Sequence, residues 1–326
     1  MTVAVAVATA AGVGFARSSA GAVAVPGGVV DVNTDLAYGS GAAAGTGMVL
    51  SSSGEVLTNN HVIRGAVTIR VVDPTSGRGF AATVLGYSVR DDVAVLQLQH
   101  ASGLRAVTLG DSTRVHVGQH VTAYGNAGGV GGSPSASSGK VTALNRSIRV
   151  SDGRGLFARL TGLIQVDASL QPGDSGGPLV DAAGRAIGMD TAASLGFDFE
   201  SRHDGFAIPI NRALALAKQI EGRRASTTVH VGSTPFLGIS VAPTPVTGAP
   251  RGPRVVGVAP DSPADRAGIA AGDTIIAIDG HSVADYSALT AALLRHNAGA
   301  VVAVRWVDGN GAPHVARVKT VAGPPQ

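Results

Sequence analysis

The chain has 326 residues, of which 44% are hydrophobic and 14% charged, so it is long enough for two domains and apolar enough to bury a core in each. It contains no cysteine, which excludes disulfide bonds, thiolate metal sites and a cysteine nucleophile. The formal net charge is +3, but the basic residues are scattered along the chain, and no nucleic-acid partner is expected.

Residues 1–28 form an apolar N-terminal segment. Its core, residues 2–16, is too short to span a bilayer but has the length of a signal-peptide core, and Ala22-Val23-Ala24 has the pattern of a cleavage site. No basic residue precedes the apolar run, so a flexible tail and a start placed too far downstream are alternatives. We favour an export signal and expect a secreted or cell-envelope location.

Residues 29–222 alternate short apolar runs with glycine-containing turns, which is typical of an all-β barrel or sandwich. Strands are predicted at 29–33, 47–50, 56–58, 67–72, 81–87, 93–98, 120–124, 138–144, 162–166, 178–180, 186–189 and 205–209. One helix closes this region, with Asn211 as its predicted N-cap and Gly222 as its end. The polar segment 223–233 is predicted to be a linker.

Residues 234–322 are predicted to form a second, smaller α+β domain. Ser262 is followed by Pro263 and Asp265, which is the pattern of a capped helix start, and Gly268 ends that short helix. The other predicted elements are a helix at 286–296 and strands at 236–241, 255–258, 273–278, 300–307 and 314–321.

The most informative motif is a serine enclosed by glycines, Gly173-Asp174-Ser175-Gly176-Gly177. Such a turn exposes a nucleophilic hydroxyl, and the N–H groups of Gly173 and Ser175 can bind a developing oxyanion. The hydroxyl needs a base, and a histidine oriented by a carboxylate supplies one near neutral pH. His61 and Asp92 each lie at a junction between a predicted strand and a loop. Together with Ser175 they are the predicted catalytic triad.

The same serine motif also matches the nucleophile elbow of the α/β-hydrolases. That fold requires helices between its strands and places the histidine after the serine. Helical patterns are missing before residue 210, and the one downstream histidine of this region, His203, stands between Arg202 and Asp204 as in a solvated loop. The elbow interpretation is therefore not favoured.

With these motifs in place, residues 29–321 resemble the HtrA branch of the chymotrypsin-like serine proteases. The resemblance to that branch rests on Thr58-Asn-Asn-His-Val, Asp92-Val-Ala-Val, Leu109-Gly-Asp-Ser and Gly205-Phe-Ala-Ile-Pro. Details such as Asn59-Asn60, Gln171-Pro-Gly-Asp and Asp190-Thr-Ala-Ala-Ser look closest to its secreted actinobacterial, PepA-like members. The resemblance has consequences for fold and activity. It implies a mainly β fold, in which a double β-barrel protease domain is followed by a PDZ domain. The implied activity is a cofactor-free serine endopeptidase acting on unfolded or exported proteins. A homotrimer is the implied assembly, although residues 25–45 lack a convincing aromatic cluster.

The resemblance also implies an S1 pocket formed by Ser169, Asp190 and Ala192. Ser169 stands six residues before the nucleophile, where trypsin has an aspartate, so a small or medium apolar P1 residue is expected. Asp190 departs from the asparagine of most family members. A carboxylate pointing into the pocket would restore some tolerance for basic P1 residues.

The PDZ resemblance implies that Phe236, Leu237, Gly238 and Ile239 bind the carboxylate of a C-terminal peptide, with the 286–296 helix as the other wall of the groove. The apolar members of this set are also consistent with ordinary core residues of one strand. Polypeptide substrates and C-terminal peptides are therefore the expected partners. The alternative function is a catalytically idle holdase or PDZ adaptor, and the complete triad argues against it.

Overall fold

The structure is a computed structural model that describes residues 26–37, 41–151, 157–191, 204–242 and 251–326. Its strands and few short helices confirm the predicted mainly β fold with two barrels and a smaller domain. Among the described residues, no helix is long and apolar enough to cross a membrane. The predicted cleavage site at Ala22-Val23-Ala24 lies outside these residues.

The first barrel closes because β5 pairs with both β4 and β6. Its antiparallel order is β5-β4-β1-β2-β3-β6, and its interior is filled by branched apolar side chains such as Val32, Val56 and Leu96. Its strands are β1 (Val29–Leu36), β2 (Ala42–Val49), β3 (Glu55–Thr58), β4 (Ala66–Val72), β5 (Gly79–Ser88) and β6 (Val93–Leu98). One helical turn, α1 (Asn60–Ile63), follows β3.

The second barrel is also closed, in the order β10-β11-β12-β9-β8-β7. Two of its strands extend well beyond the predicted 138–144 and 162–166, because polar exposed residues such as Arg146 and Arg149 continue the pairing without an alternating apolar pattern. Its strands are β7 (His120–Gly125), β8 (Ser135–Ser151), β9 (Phe157–Val166), β10 (Pro178–Val180), β11 (Ala186–Asp190) and β12 (Gly205–Pro209).

Helix α2 (Ile210–Glu221) joins the two barrels. Its buried residues pack in one cluster with side chains of both, including Met48 from the first and Phe206 from the second. The prediction that Asn211 caps this helix is wrong, since the helix begins one residue earlier. The Asn211 side chain instead donates to Asp111 Oδ1 at 2.8 Å. Gly222 ends the helix as predicted.

The segment predicted as a linker contains a short strand, β13 (His230–Val231), which pairs with β5 of the first barrel. The domain that follows has helices α3 (Pro263–Arg266) and α4 (Tyr286–Leu293) around a core that includes Ile275, Leu289 and Trp306. Its strands are β14 (Thr234–Phe236), β15 (Ile239–Val241), β16 (Val255–Val258), β17 (Thr274–Ile278), β18 (His281–Ser282), β19 (Val301–Val307), β20 (Pro313–Lys319) and β21 (Val321–Gly323).

Two local predictions in this domain have different outcomes. The cap of α3 is confirmed, because Ser262 Oγ accepts a hydrogen bond from the Asp265 N–H at 3.2 Å and Pro263 is the first helical residue. The single strand predicted at 236–241 is wrong, because the backbone turns at Gly238, where φ is +87°. A Cβ at Gly238 would lie 2.2 Å from Ser262 Cβ, so glycine allows this close approach.

Candidate active site

The imidazole of His61 is held in a fixed orientation by Asp92. His61 is the second residue of α1, directly after β3. Its Nδ1 lies 2.8 Å from Asp92 Oδ2, and its backbone N–H donates to Asp92 Oδ1 at 2.9 Å. These two bonds fix both the ring and the carboxylate, so Nε2 is the nitrogen left to accept a proton.

The neighbouring residues Asp91 and Asp92 make different contacts. Asp92 has a left-handed backbone, with φ +54°, which aspartate tolerates better than most residues, and Asn59 Nδ2 donates to its carbonyl oxygen at 2.9 Å. Asp91 forms an ion pair with Arg212 of α2. Of the two carboxylates, Asp92 is therefore the one that orients His61, and Asp91 is the one that fastens α2.

The surroundings of His61 raise its pKa. Burial alone would lower the pKa, but the charge and hydrogen bond of Asp92 outweigh burial and a smaller opposing effect of Arg64. Within the part of the chain that the structure describes, the buried Nε2 atom has no hydrogen-bond partner. A general base needs such a nitrogen, and its bond to the nucleophile is often long before substrate binds.

The turn that carries Ser175 is held by hydrogen bonds to Thr46 on one side and to Gly128 on the other. Thr46 Oγ1 donates to the Gly173 carbonyl oxygen at 2.6 Å, and the Thr46 N–H donates to the Ser175 carbonyl oxygen at 2.8 Å. On the other side, the Gly128 N–H donates to the Pro172 carbonyl oxygen at 2.7 Å. Gly173 has φ +102°, and a Cβ there would lie 2.0 Å from a backbone oxygen of the adjoining loop, so only glycine fits.

The tight turn leaves a backbone donor beside the nucleophile. The Gly173 N–H donates to no other described residue. The Asp174 side chain closes the turn, accepting from the Gln171 N–H at 2.8 Å and from the Ser135 hydroxyl at 3.3 Å, and burial raises the pKa of Asp174. Backbone N–H groups fixed in this way can stabilise negative charge that develops on a substrate oxygen.

Two glycines allow the serine turn to approach the histidine. A Cβ at Gly45 would lie 2.6 Å from the Val62 side chain, next to His61, and 3.2 Å from the Ser175 carbonyl oxygen. A Cβ at Gly176 would lie 2.1 Å from a backbone oxygen of β2. Side chains at these positions would push the barrels apart. The structure therefore bonds His61 to Asp92 and sets the Ser175 turn against β2, beside Val62 of the helix that carries His61.

Two threonines that contact the predicted site residues were not themselves predicted to belong to the site. Thr191 Oγ1 donates to Asp92 Oδ2 at 3.2 Å, so that this oxygen is bonded from both barrels. Thr46 Oγ1, besides donating to Gly173, accepts from the Asn126 N–H at 2.9 Å. Both threonines are almost fully buried. Their roles depend on contacts between distant segments, which local sequence patterns do not reveal.

The predicted S1 residues lie in contrasting environments. Ser169 is exposed shortly after β9, whereas Asp190 is the last residue of β11 and is completely buried. Ala192 lies outside the described residues. The structure therefore describes two of the three predicted pocket residues.

Burial disfavours the charged form of the Asp190 carboxyl group. It shares a strand face with Gly188, which packs against Ala207 in the core of the second barrel. Neither of its carboxyl oxygens has a hydrogen-bond partner in the described ranges. Burial, with a smaller contribution from the charge of Asp174, raises the pKa of Asp190 well above its usual value.

The predicted PDZ loop lies between β14 and β15. The side chain of Leu237 is buried in the domain core, and Gly238 forms the turn. The N–H groups of Leu237 and Gly238 donate to no other residue among those described, while their carbonyl oxygens accept backbone bonds of 2.9 and 2.8 Å. Two backbone donors are thus left for an incoming group. The described residues include no cluster of three or more His, Asp or Glu side chains that could hold a metal ion.

Comparison with known domain families gives one match in each half of the chain. Residues 45–189 match a family described as a trypsin-like peptidase domain, and residues 254–307 match the PDZ domain family. The first match includes all three triad positions. The second includes most of the domain after α2.

Solved structures extend the comparison over almost the whole chain. A structure described as the HtrA-type protease AlgW with tripeptide is 32% identical and superposes with a TM-score of 0.52, covering 93% of this chain and 96% of that one. The chain belongs to the HtrA-type serine proteases with a PDZ domain. The match to this HtrA-type protease extends over both barrels and the domain that follows them.

Curated HtrA-type relatives are longer than this chain. It is 37% identical over 253 residues to the periplasmic serine endoprotease DegP of Salmonella typhimurium, covering 76% of this chain and 51% of that protein. It is 32% identical over 304 residues to the serine protease PepD of Mycobacterium tuberculosis, covering 89% of this chain and 63% of that protein. The chain thus spans about half the length of the DegP protein it matches.

Proposed function

We propose that this protein is a serine endopeptidase that cleaves unfolded or exported polypeptides, with His61, Asp92 and Ser175 as its catalytic triad. The observation that carries the proposal is the orientation of His61. One ring nitrogen is bonded to Asp92, and the other is buried and has no hydrogen-bond partner within the described ranges. The names of the relatives, which include a serine endoprotease, support the same activity.

The geometry suits acyl transfer. Ser175 Oγ attacks the carbonyl carbon of the scissile peptide bond while His61 Nε2 takes the hydroxyl proton. Asp92 stabilises the imidazolium that forms, and the N–H groups of Gly173 and Ser175 receive the negative charge on the substrate oxygen. His61 then gives the proton to the leaving amine. Water, activated by the same nitrogen, hydrolyses the acyl-enzyme and releases the new carboxyl end.

Digestion of casein by the wild type and by Ser175→Ala tests this function. Because triad members act as a unit, Ser175→Ala should lose more than about 99% of turnover. Thermal unfolding measured on both proteins controls for misfolding. Equal and negligible digestion by both, with aggregation of a denatured client still suppressed, would favour the holdase alternative instead.

We also propose a preference for small or medium apolar P1 residues. Ser169 carries no charge, and burial raises the pKa of Asp190 well above its usual value, which disfavours the charge that would attract a lysine or arginine side chain. Cleavage profiling with a peptide library tests this in the wild type and in Asp190→Asn, which has nearly the same shape. Both should have the same apolar preference. If the wild type instead prefers Lys or Arg at P1 and Asp190→Asn abolishes this preference, the Asp190 carboxyl group binds basic P1 side chains.

The PDZ domain is proposed to bind C-terminal peptides of substrates or regulators. The two N–H groups at Leu237 and Gly238, between Phe236 and Ile239, support this assignment because they resemble a carboxylate-binding loop. The periplasmic relatives support a secreted or cell-envelope location, and the family resemblance supports a homotrimer. We propose protease boundaries of 29–222 and PDZ boundaries of 234–322, joined by the 223–233 segment that includes β13.

A further inference from the structure

The residues after β21 leave the PDZ domain and lie against the first barrel, next to the helix that carries His61. Pro325 is buried, and its carbonyl oxygen accepts a hydrogen bond from the Gly65 N–H at 2.8 Å. The Gln326 carbonyl oxygen accepts a bond from Asn60 Nδ2 at 3.0 Å. These contacts join the last strand of one domain to the catalytic helix of the other.

The two donors lie on either side of the catalytic base. Asn60 directly precedes His61, and Gly65, with φ +74°, forms the turn after α1. The α1 helix, which begins at Asn60, has only four residues and no side-chain cap. A single turn has little stability of its own, so its position depends on such outside contacts. Asn60 is only 3% exposed, and its amide group would lose this partner if the tail moved away.

The tail itself is held from both domains. The Gln326 N–H donates to the hydroxyl of Tyr87, a fully buried residue of β5, at 3.3 Å. That hydroxyl also lies 3.0 Å from Thr234 Oγ1 at the start of the PDZ domain. Tyr286, the first residue of α4, donates to Gln326 Oε1 at 3.3 Å. Backbone and side chain of Gln326 are therefore both fixed, which makes its carbonyl oxygen a rigid acceptor.

We propose that residues 324–326 form a tail strap that positions the His61 helix for catalysis. The strap touches neither the substrate site nor the reacting atoms, so its members are positioning residues. It acts by accepting hydrogen bonds from Asn60 and Gly65. Through these two residues it keeps the His61 ring correctly oriented toward Asp92 and Ser175. The inference rests on the proposed protease function, and it adds a dependence of that function on the end of the PDZ domain.

Kinetics on a peptide substrate provide the first test. A chain that ends at Gly323 should have a kcat about ten-fold lower with a KM within about two-fold, because misplacing a catalytic base slows turnover more than binding. Asn60→Ala removes the same contact from the protease side. Because both changes act through one contact, the double variant should be no slower than the shortened chain alone.

NMR titration of His61 separates positioning from a loss of folding. The charges that act on this ring come from Asp92, which raises its pKa, and Arg64, which lowers it. Loosening the contact with Asp92 should therefore lower the pKa of His61 in the shortened chain. Its low-field Nδ1 proton, assigned by its absence in Asp92→Asn, should exchange faster with water. Val304→Ala, a buried PDZ core change away from the strap, should leave both signals unchanged.

The strap is overturned if the shortened chain has the kcat and the His61 pKa of the wild type. It is also overturned if the kcat losses of Asn60→Ala and of the shortened chain add up in the double variant. The third such result is a change in the His61 pKa of Val304→Ala equal to that in the shortened chain. The NMR measurement does not require proteolysis. If the wild type digests nothing but the shortened chain still shifts the His61 signals, the strap is supported and the proposed protease function is the part that fails.

Discussion

At the scale of single residues, Thr46 connects the two halves of the site. Its hydroxyl accepts from the Asn126 N–H and donates to the Gly173 carbonyl oxygen, while its backbone N–H donates to the Ser175 carbonyl oxygen. Its carbonyl oxygen accepts from Thr58 Oγ1 at 2.6 Å, at the end of the strand that leads to His61. One residue of the first barrel thus fixes the proposed oxyanion turn of the second.

Thr46→Val keeps the shape of the side chain but removes both hydroxyl bonds. The Gly173 peptide then loses its anchor and its N–H no longer points reliably at the substrate oxygen. We expect kcat to fall about 10²-fold, since the loss of one oxyanion donor has an effect of this size. The change in KM should be smaller. Steady-state kinetics on a peptide substrate measure both constants.

Two variants control for this experiment. Thr46→Ser retains the hydroxyl and should recover most of the turnover. Thr122→Val makes the same chemical change at a buried threonine of β7, whose hydroxyl lies 3.0 Å from Ser138 Oγ and not at the oxyanion turn. It should behave as the wild type. A wild-type kcat in Thr46→Val would contradict the proposed role.

At the scale of elements, the loop 126–132 links the first barrel to the serine turn. Asn126 and Gly128 contact Thr46 and Pro172, as described above. The other end of the loop is bonded to Asp31 of β1, which accepts from the Gly132 N–H. Asp31 pairs with Thr46 across β1 and β2, so one patch of the first barrel holds both ends of the loop.

Asp31 makes stability depend on pH. Burial raises its pKa to about 6, against a smaller opposite effect of the Gly132 hydrogen bond. The folded protein therefore binds this proton more tightly than the unfolded chain, whose carboxyl group titrates near 3.8. The stabilising contribution is complete below pH 3.8 and is lost as the pH rises through about 6.

Asp31→Asn cannot ionise, and it keeps a carbonyl oxygen for Gly132. We expect it to be more stable than the wild type at pH 7 to 8, by about 1 to 2 kcal/mol after allowance for solvent screening. The gain should disappear near pH 4. Urea unfolding at a series of pH values measures it. Asp35→Asn, which removes the same charge from an exposed position of β1, should show no such trend.

At the scale of the whole molecule, the PDZ domain is joined to the first barrel by more than the tail strap. The His230 ring lies 5.3 Å from the ring of Tyr87, between centroids, and its Nδ1 is 3.1 Å from the Leu294 carbonyl oxygen. The Leu294 side chain packs against the core of the first barrel at the end of α4. The helix proposed to line the peptide groove therefore also contacts the catalytic domain.

The sequence predicts the parts of this molecule that local patterns encode. Alternating apolar runs predicted most strands, and the pattern at Ser262 predicted the cap of α3 correctly. Asn211 has the right residue type for a cap, but the turn at Asp111 competes for its side chain and binds it. The break at Gly238 was missed because the residues around it are apolar, and the requirement for glycine arises from contact with Ser262.

In the candidate site, too, local patterns predict some residues, whereas others take part only through contacts between distant segments. His61, Asp92 and Ser175 stand in motifs whose composition reflects the chemistry proposed for them, so the triad could be predicted from the motifs and stays a prediction. Thr46 and Thr191 act only through partners that are distant in the sequence, and threonine is common in strands for other reasons. Contacts of this kind exist only once the barrels are packed together, so no local pattern predicts them.

The division of the site between two barrels has a consequence for biosynthesis. The first barrel is complete at residue 98, so the base and its carboxylate emerge from the ribosome early. The second barrel closes only when β12, which ends at Pro209, pairs with β9 and β11. A nascent chain shorter than this has the proposed base and carboxylate in a finished barrel but lacks the closed second barrel that holds the Ser175 turn, so we expect no proteolytic activity from it.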